Sequence, residues 1–204
     1  MEDHANIFTP LAEADAFARS RLSKERYGHT LRVADTAEEL ARAHGLDEKR
    51  ARLAALLHDA ARETASGEFL RLADEWDLPV GEPERESPKL LHGPVAAELA
   101  RRELGIEDCG VLEAVRAHTT GKREMGSLAL VLYVADKIEP ARDYPSVGRL
   151  RELAREDLHR AAAESLRRAI AHNEKRGRDT HPASLETLDW LEADHTSQSR
   201  IEQE

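Results

Sequence analysis

Apolar residues recur along the chain at helical spacing, and several of the stripes they form end on a residue able to bind a metal. The clearest runs Ala51, Ala54, Ala55 and His58, at i, i+3, i+4 and i+7, with Asp59 next in the chain. Three of the smallest side chains thus lead to a histidine, and a second helix can approach closely along them. The run Leu53-Ala-Ala-Leu-Leu57 enters this pair and the polar Ala60-Ala-Arg-Glu63 leaves it, so His58 and Asp59 are expected at the buried end of a helix. Asp47, followed by Glu48, supplies the N-cap that opens that helix.

The remaining elements follow from the same signals. Thr9-Pro10 opens a short helix to about Ser20. Ser23 caps a longer one that reaches His44 and stops at Gly45, with His29, Val33, Thr36 and Leu40 on its inner face. Residues 64–87 are the least regular stretch: a helix is expected over Ser66–Trp76, and then Pro79, Gly81 and Pro83 among charges give a surface loop that could close over a site as a flap. Ser87-Pro88 restarts helix and His92-Gly93-Pro94 interrupts it, after which His92, Val95, Ala96 and Leu99 share a face. Asp108 caps a helix in which Val111, Ala114, Val115 and His118 repeat the spacing. After Thr119-Thr-Gly-Lys122, the residues Ala129, Leu132, Tyr133 and Asp136 repeat it again. Helices over about 146–156, 157–176 and 182–193 carry no comparable set, and the polar residues 195–204 are expected to be a disordered tail on a single domain spanning 1–194.

Composition narrows the class. The 204 residues are 40% hydrophobic but only 4% aromatic, and the apolar positions are mostly Ala, Leu and Val, which suits an all-α bundle better than a sheet. A net charge of -10 excludes a chain built to coat a polyanion, so extended nucleic acid and anionic membrane surfaces are not expected partners. A local basic pocket for one small anion is still allowed. Cys109 is the only cysteine, which rules out an intrachain disulfide and favours a reducing compartment. The first residues lack a basic segment followed by an apolar one, and no apolar run is long enough to span a bilayer, so a cytoplasmic protein is expected. A homodimer is compatible with all of this.

His29, His58, Asp59, His92, His118 and Asp136 stand out as six potential ligands, most of them at the end of a helix and on its apolar side. Any one of them alone reads as a hydrogen-bonded core residue. Together they would leave four of the ten histidines buried without obvious partners, whereas a cation satisfies imidazole and carboxylate at once. Six nitrogen and oxygen donors exceed what one tetrahedral zinc takes, and two metals sharing a carboxylate fit better. Such ligation suits iron, manganese, nickel or zinc.

The order His29, His58-Asp59, Asp136 resembles the HD phosphohydrolase superfamily, and His92 and His118 match its two-metal subset. More narrowly, Arg26-Tyr-Gly-His-Thr-Leu-Arg-Val33, Leu56-Leu-His-Asp-Ala-Ala-Arg-Glu63, Leu91-His-Gly-Pro94, His118-Thr-Thr-Gly121 and Ala135-Asp-Lys-Ile-Glu-Pro-Ala-Arg-Asp-Tyr-Pro145 resemble the YqeK family of symmetrical bis(5'-nucleosyl)-tetraphosphatases. The resemblance implies an HD helical bundle, a di-iron centre and hydrolysis of diadenosine tetraphosphate at its middle to two ADP. It further implies that His29, His58, Asp59 and Asp136 hold one metal, that His92 and His118 hold the other, and that Asp59 bridges. Arg62 stands where the family usually has lysine; it keeps the charge but presents a planar fork that does not serve as a proton donor. Lys137, Arg142 and, with less claim, Lys122 are candidate phosphate contacts, while Thr119 and Gly121 could bring backbone to a nucleotide or form a plain helix end. His181 before Pro182 matches a family-like His-Pro. His4, His44, His159, His172 and His195 read as surface residues, and Trp76 and Trp190 as core or lid packing. The alternatives are a generic HD nucleotide phosphohydrolase, acting on nucleoside monophosphates or guanosine tetraphosphate, and a non-catalytic nucleotide-sensing module.

Overall fold

Four side chains open helices by accepting amide protons that have no intrahelical partner: Ser23 from Arg26, Asp47 from Lys49 and Arg50, Asp108 from Gly110 and Val111, and Asp157 from Arg160. The computed structural model describes the backbone of residues 8–201 and the side chains of 10–193. The helices are α1 (Phe8–Arg21), α2 (Lys24–Ala43), α3 (Glu48–Leu57), α4 (Ser66–Glu75), α5 (Glu82–Glu86), α6 (His92–Leu104), α7 (Cys109–Ala117), α8 (Ser127–Ile138), α9 (Val147–Glu156), α10 (Leu158–Lys175) and α11 (Pro182–Ile201), with a 3₁₀ turn at Pro88–Leu91 before α6. All regular structure among the described residues is helical.

The small-residue stripe does what its spacing requires. Ala51, Ala54 and Ala55 are fully buried, and α3 packs against both α2 and α7. The last of the central helices, α8, is apolar on nearly every side because it lies against α2, α3, α7 and α10, with Leu130 to Ala135 all buried. Outside this centre, α1 covers α3, α4 covers the 3₁₀ turn and α6, and α9 and α11 pack on α10. The C-terminal ends of α3 and α7, the start of α6 and the last turn of α8 therefore meet in the core.

Four expectations need correction. Residues 82–86 form a short helix and not a loop: Glu84 accepts the Gly81 amide at 2.8 Å, and Pro83 sits in the first turn, where its missing N–H costs nothing. His92-Gly93-Pro94 begins α6 instead of interrupting a helix, for the same reason. His44 is not a free surface residue; it ends α2 and its Nε2 bonds the Ala154 carbonyl at 2.8 Å. Helix α11 runs through Ile201 into the segment expected as a tail. His4, the side chain of Thr9, the side chain of His195 and residues 202–204 lie outside the described residues. The stretch 64–87 braces the 3₁₀ turn, and its Glu84 meets His181 Nε2 at 2.8 Å at the head of α11.

Candidate metal centre

His58 and His118 follow directly on the last residues of α3 and α7, where the final carbonyls have no intrahelical donor. Each ring uses one of them. His58 Nδ1 donates to the carbonyl of Ala55, His118 Nδ1 to that of Val115 at 2.7 Å, and His92 Nδ1 to that of Lys89 at 2.6 Å. A carbonyl only accepts, so the proton sits on Nδ1 and Nε2 is left with a lone pair aimed inward. His29, one turn inside α2, reaches the same state differently: its Nδ1 lies 3.2 Å from Glu139 Oε1.

The four Nε2 atoms surround Asp59 and divide between its two oxygens. His58 and His29 lie 3.5 and 3.9 Å from Oδ2, whereas His92 and His118 lie 3.4 and 3.8 Å from Oδ1. Asp136 Oδ1 is 3.1 Å from His29 Nε2. The structure thus brings all six expected residues together, and all six are buried. Two groups of donors within coordinating reach are His29, His58 and Asp136, and His58, Asp59 and His118. His92 joins the second through His118, with the two Nε2 atoms 3.0 Å apart.

These residues fit a metal. His29 Nε2 and His58 Nε2 are buried and have no hydrogen-bond partner among the described residues. His92 and His118 point lone pairs at one another, and Thr119 Oγ1, 3.1 Å from both, can donate to only one. A cation resolves each of these conflicts, which apolar packing would not.

Electrostatics agree. Burial opposes ionisation of Asp59, yet His58, His92 and His118 outweigh it and hold the carboxyl far below the usual range. Asp136 is buried too, and Lys137, His29, His58 and Arg142 hold it well down. Burial, with His92 and His58 nearby, pushes His118 well below the ordinary histidine range, which keeps it a neutral donor. For His58 burial disfavours charge, but Asp59 and Asp136 outweigh it and pull its pKa up.

The expected phosphate contacts are placed unequally. Lys137 Nζ pairs with Asp136 Oδ2 at 2.6 Å, and Arg142 bonds Asp136 Oδ1 and its carbonyl, both at 2.9 Å. The Arg62 guanidinium makes no hydrogen bond or ion pair with a described residue; only its amide is engaged, with the Asp59 carbonyl at 2.7 Å. Lys122 lies 3.6 Å from Glu113, on the surface. Gly121 has φ +73°, and a Cβ there would stand 2.8 Å from Thr187 Oγ1, so packing against α11 accounts for this glycine without a ligand.

Two residues escaped the sequence reading. Arg26 Nη1 lies 3.2 Å from Asp59 Oδ2, and Glu139 accepts from His29, from Arg32 Nε at 2.7 Å and from the Ala141 amide at 2.8 Å. The available signal was spacing: Arg26 precedes His29 by three, and Glu139 follows Asp136 by three. A cleft of about 380 Å³, lined by Arg26, Arg32, Glu139 and Arg142 among others, opens onto His29. The cavity of about 600 Å³ between α9, α10 and α11 does not touch this centre.

Comparison with known proteins gives consistent results. Residues 26–141 match the HD domain model. A symmetrical bis(5'-nucleosyl)-tetraphosphatase of Bacillus subtilis is 37% identical over 88% of this chain and 96% of that protein. One from Halalkalibacterium halodurans is 38% identical over 85% and 92% respectively. The crystal structure of an HD superfamily hydrolase from Clostridium acetobutylicum, described as involved in NAD metabolism, superposes with a TM-score of 0.87 at 32% identity, covering 90% of this chain and 97% of that one.

Proposed function

The chain belongs to the HD domain family and, within it, to the symmetrical bis(5'-nucleosyl)-tetraphosphatases, and on that premise we propose that it hydrolyses diadenosine tetraphosphate to two ADP. The observation that carries this reading is the division of Asp59, whose two oxygens face separate pairs of histidines. One carboxylate shared in this way suits two ions, and a pair of ions suits attack on an inner phosphate flanked by others.

His29, His58, Asp59 and Asp136 would hold one metal and His92, His118 and Asp59 the other. When bound, the metals activate water and neutralise charge on the reacting phosphoryl group, and iron is the proposed occupant. Asp59 holds the two sides together, and its ionised state is secured by the imidazoles around it. Lys137 and Arg142, now on Asp136, are positioned to turn to phosphate once that charge is otherwise neutralised. Arg62, one turn beyond Asp59 and with a guanidinium that bonds to no described residue, would supply a planar positive fork for a phosphate oxygen and does not act as a proton donor. Thr119 Oγ1 sits between the His92 and His118 nitrogens, where it can bond substrate or solvent.

No helix among the described residues is long and apolar enough to cross a membrane. With Cys109 exposed and unpaired, we take the cytoplasm as its compartment and residues 1–194 as one working domain.

Chromatography of the products from diadenosine tetraphosphate, with metal analysis of the same sample, tests the reading. ADP as the only nucleotide product is expected. ATP with AMP would reject the symmetrical assignment, and equal turnover of nucleoside monophosphates would favour a generic phosphohydrolase.

A further inference from the structure

Of the four histidines at the centre, His29 alone is not held by its own stretch of backbone. His58, His92 and His118 each donate from Nδ1 to the carbonyl three residues earlier, which is available because an element ends or begins there. His29 sits inside α2, where neighbouring carbonyls are committed to the helix ladder. Its Nδ1 is 3.2 Å from Oε1 of Glu139, a residue 110 positions away that ends α8 and is only 2% exposed.

Glu139 is itself fixed from two directions. Arg32, on the same face of α2 and three residues beyond His29, donates to Oε2 at 2.7 Å, and the Ala141 amide donates to the same oxygen at 2.8 Å. Oε1 is thereby turned to the imidazole. We infer that Glu139 is the positioning residue of the centre: it keeps the proton of His29 on Nδ1, aims Nε2 at Asp136 and Asp59, and so ties one metal side to the α2–α8 junction. A carboxylate acceptor makes an imidazole a stronger donor than a carbonyl acceptor does. The two sides of the centre are therefore unequal by construction, and the His29 side is the one that Glu139 controls. This inference rests on the metal assignment proposed above.

Zinc-loaded, histidine-labelled protein provides the readout, because the ring protons are visible by ¹⁵N-edited NMR. In the parent, His29 should show a slowly exchanging Nδ1 proton like those of His58, His92 and His118. In Glu139→Ala that signal alone should vanish, while zinc competition against a chromophoric chelator shows one site weakened by about 10–100-fold and the other unchanged. Glu139→Gln, whose amide oxygen can still accept from His29, should recover most of the loss. A parent His29 without an Nδ1 proton would overturn the inference with no variant needed, so it stays testable even if Glu139→Ala does not fold. Unchanged zinc affinity at both sites in a folded Glu139→Ala would overturn it too. A parent that binds no metal would remove the proposed function as well, whereas two metals held with affinities indifferent to Glu139 would remove this inference alone.

Discussion

Gly93 at the start of α6 and His118 at the end of α7 meet with no room for a methyl group. A Cβ on residue 93 would stand 3.3 Å from His118 Cε1 and 3.0 Å from the Val115 carbonyl, the same carbonyl that fixes the His118 ring. Next to Gly93 in the chain, His92 brings its Nε2 to 3.0 Å from that of His118. Gly93→Ala is therefore expected to part the two helix ends, to cost about 1–3 kcal/mol of stability and to lower metal content toward one ion per chain. Thermal unfolding and metal analysis on the folded variant check both; unchanged values would mean that the helices absorb the methyl elsewhere.

Asp59 and His118 should differ in kind when removed. Asp59 faces both pairs of histidines and offsets repulsion between two cations, which a neutral imidazole cannot do. Asp59→Ala is expected to lose nearly all metal and all hydrolysis, while His118→Ala keeps roughly one ion per chain and loses most activity. Equal metal content in the two variants, with helicity intact by circular dichroism, would refute the bridge.

Arg62 provides a sharper test because its guanidinium bonds to no side chain or carbonyl among the described residues. Arg62→Ala should retain both metals and the parent's melting temperature yet lose about 10²–10³ in kcat, the cost of one preorganised donor to transition-state charge. Arg62→Lys should retain much of the rate. Parent-like kcat in Arg62→Ala would make this residue a solvated helix end.

Asp108 links pH to the placement of α7. It caps the Gly110 and Val111 amides and takes two bonds from Arg50, at 2.6 and 2.8 Å; the Arg50 bonds first, with help from the two amides, hold its carboxyl below the usual range although burial opposes them. A depressed native pKa contributes stability that is present above the ordinary carboxylate range and is lost as pH falls through the native value. Asp108→Ala should cost about 1–2 kcal/mol near neutral pH, and its deficit against the parent should narrow below about pH 4. Urea unfolding across that range checks the sign, and a deficit independent of pH would show that the charge contributes nothing.

How much of this was legible in advance differs residue by residue. The all-helical fold and the caps at Ser23, Asp47 and Asp108 could be read from the chain, because capping and amphipathic spacing are settled within a turn or two of each residue. The same locality made His58 and His118 visible as the ends of apolar stripes, and it explains afterwards how their rings are oriented: the carbonyl that accepts from each Nδ1 belongs to its own helix. Local signals misled at Pro83 and Pro94, read as breakers although a proline in a first turn removes only an amide that had no partner. Tertiary structure alone decided which oxygen of Asp59 meets which histidine, that Lys137 and Arg142 rest on Asp136, and that Glu139 holds His29 from 110 residues away. Spacing tells which face of a helix a residue occupies; what stands opposite that face depends on how the helices pack, and this is set by the whole core at once.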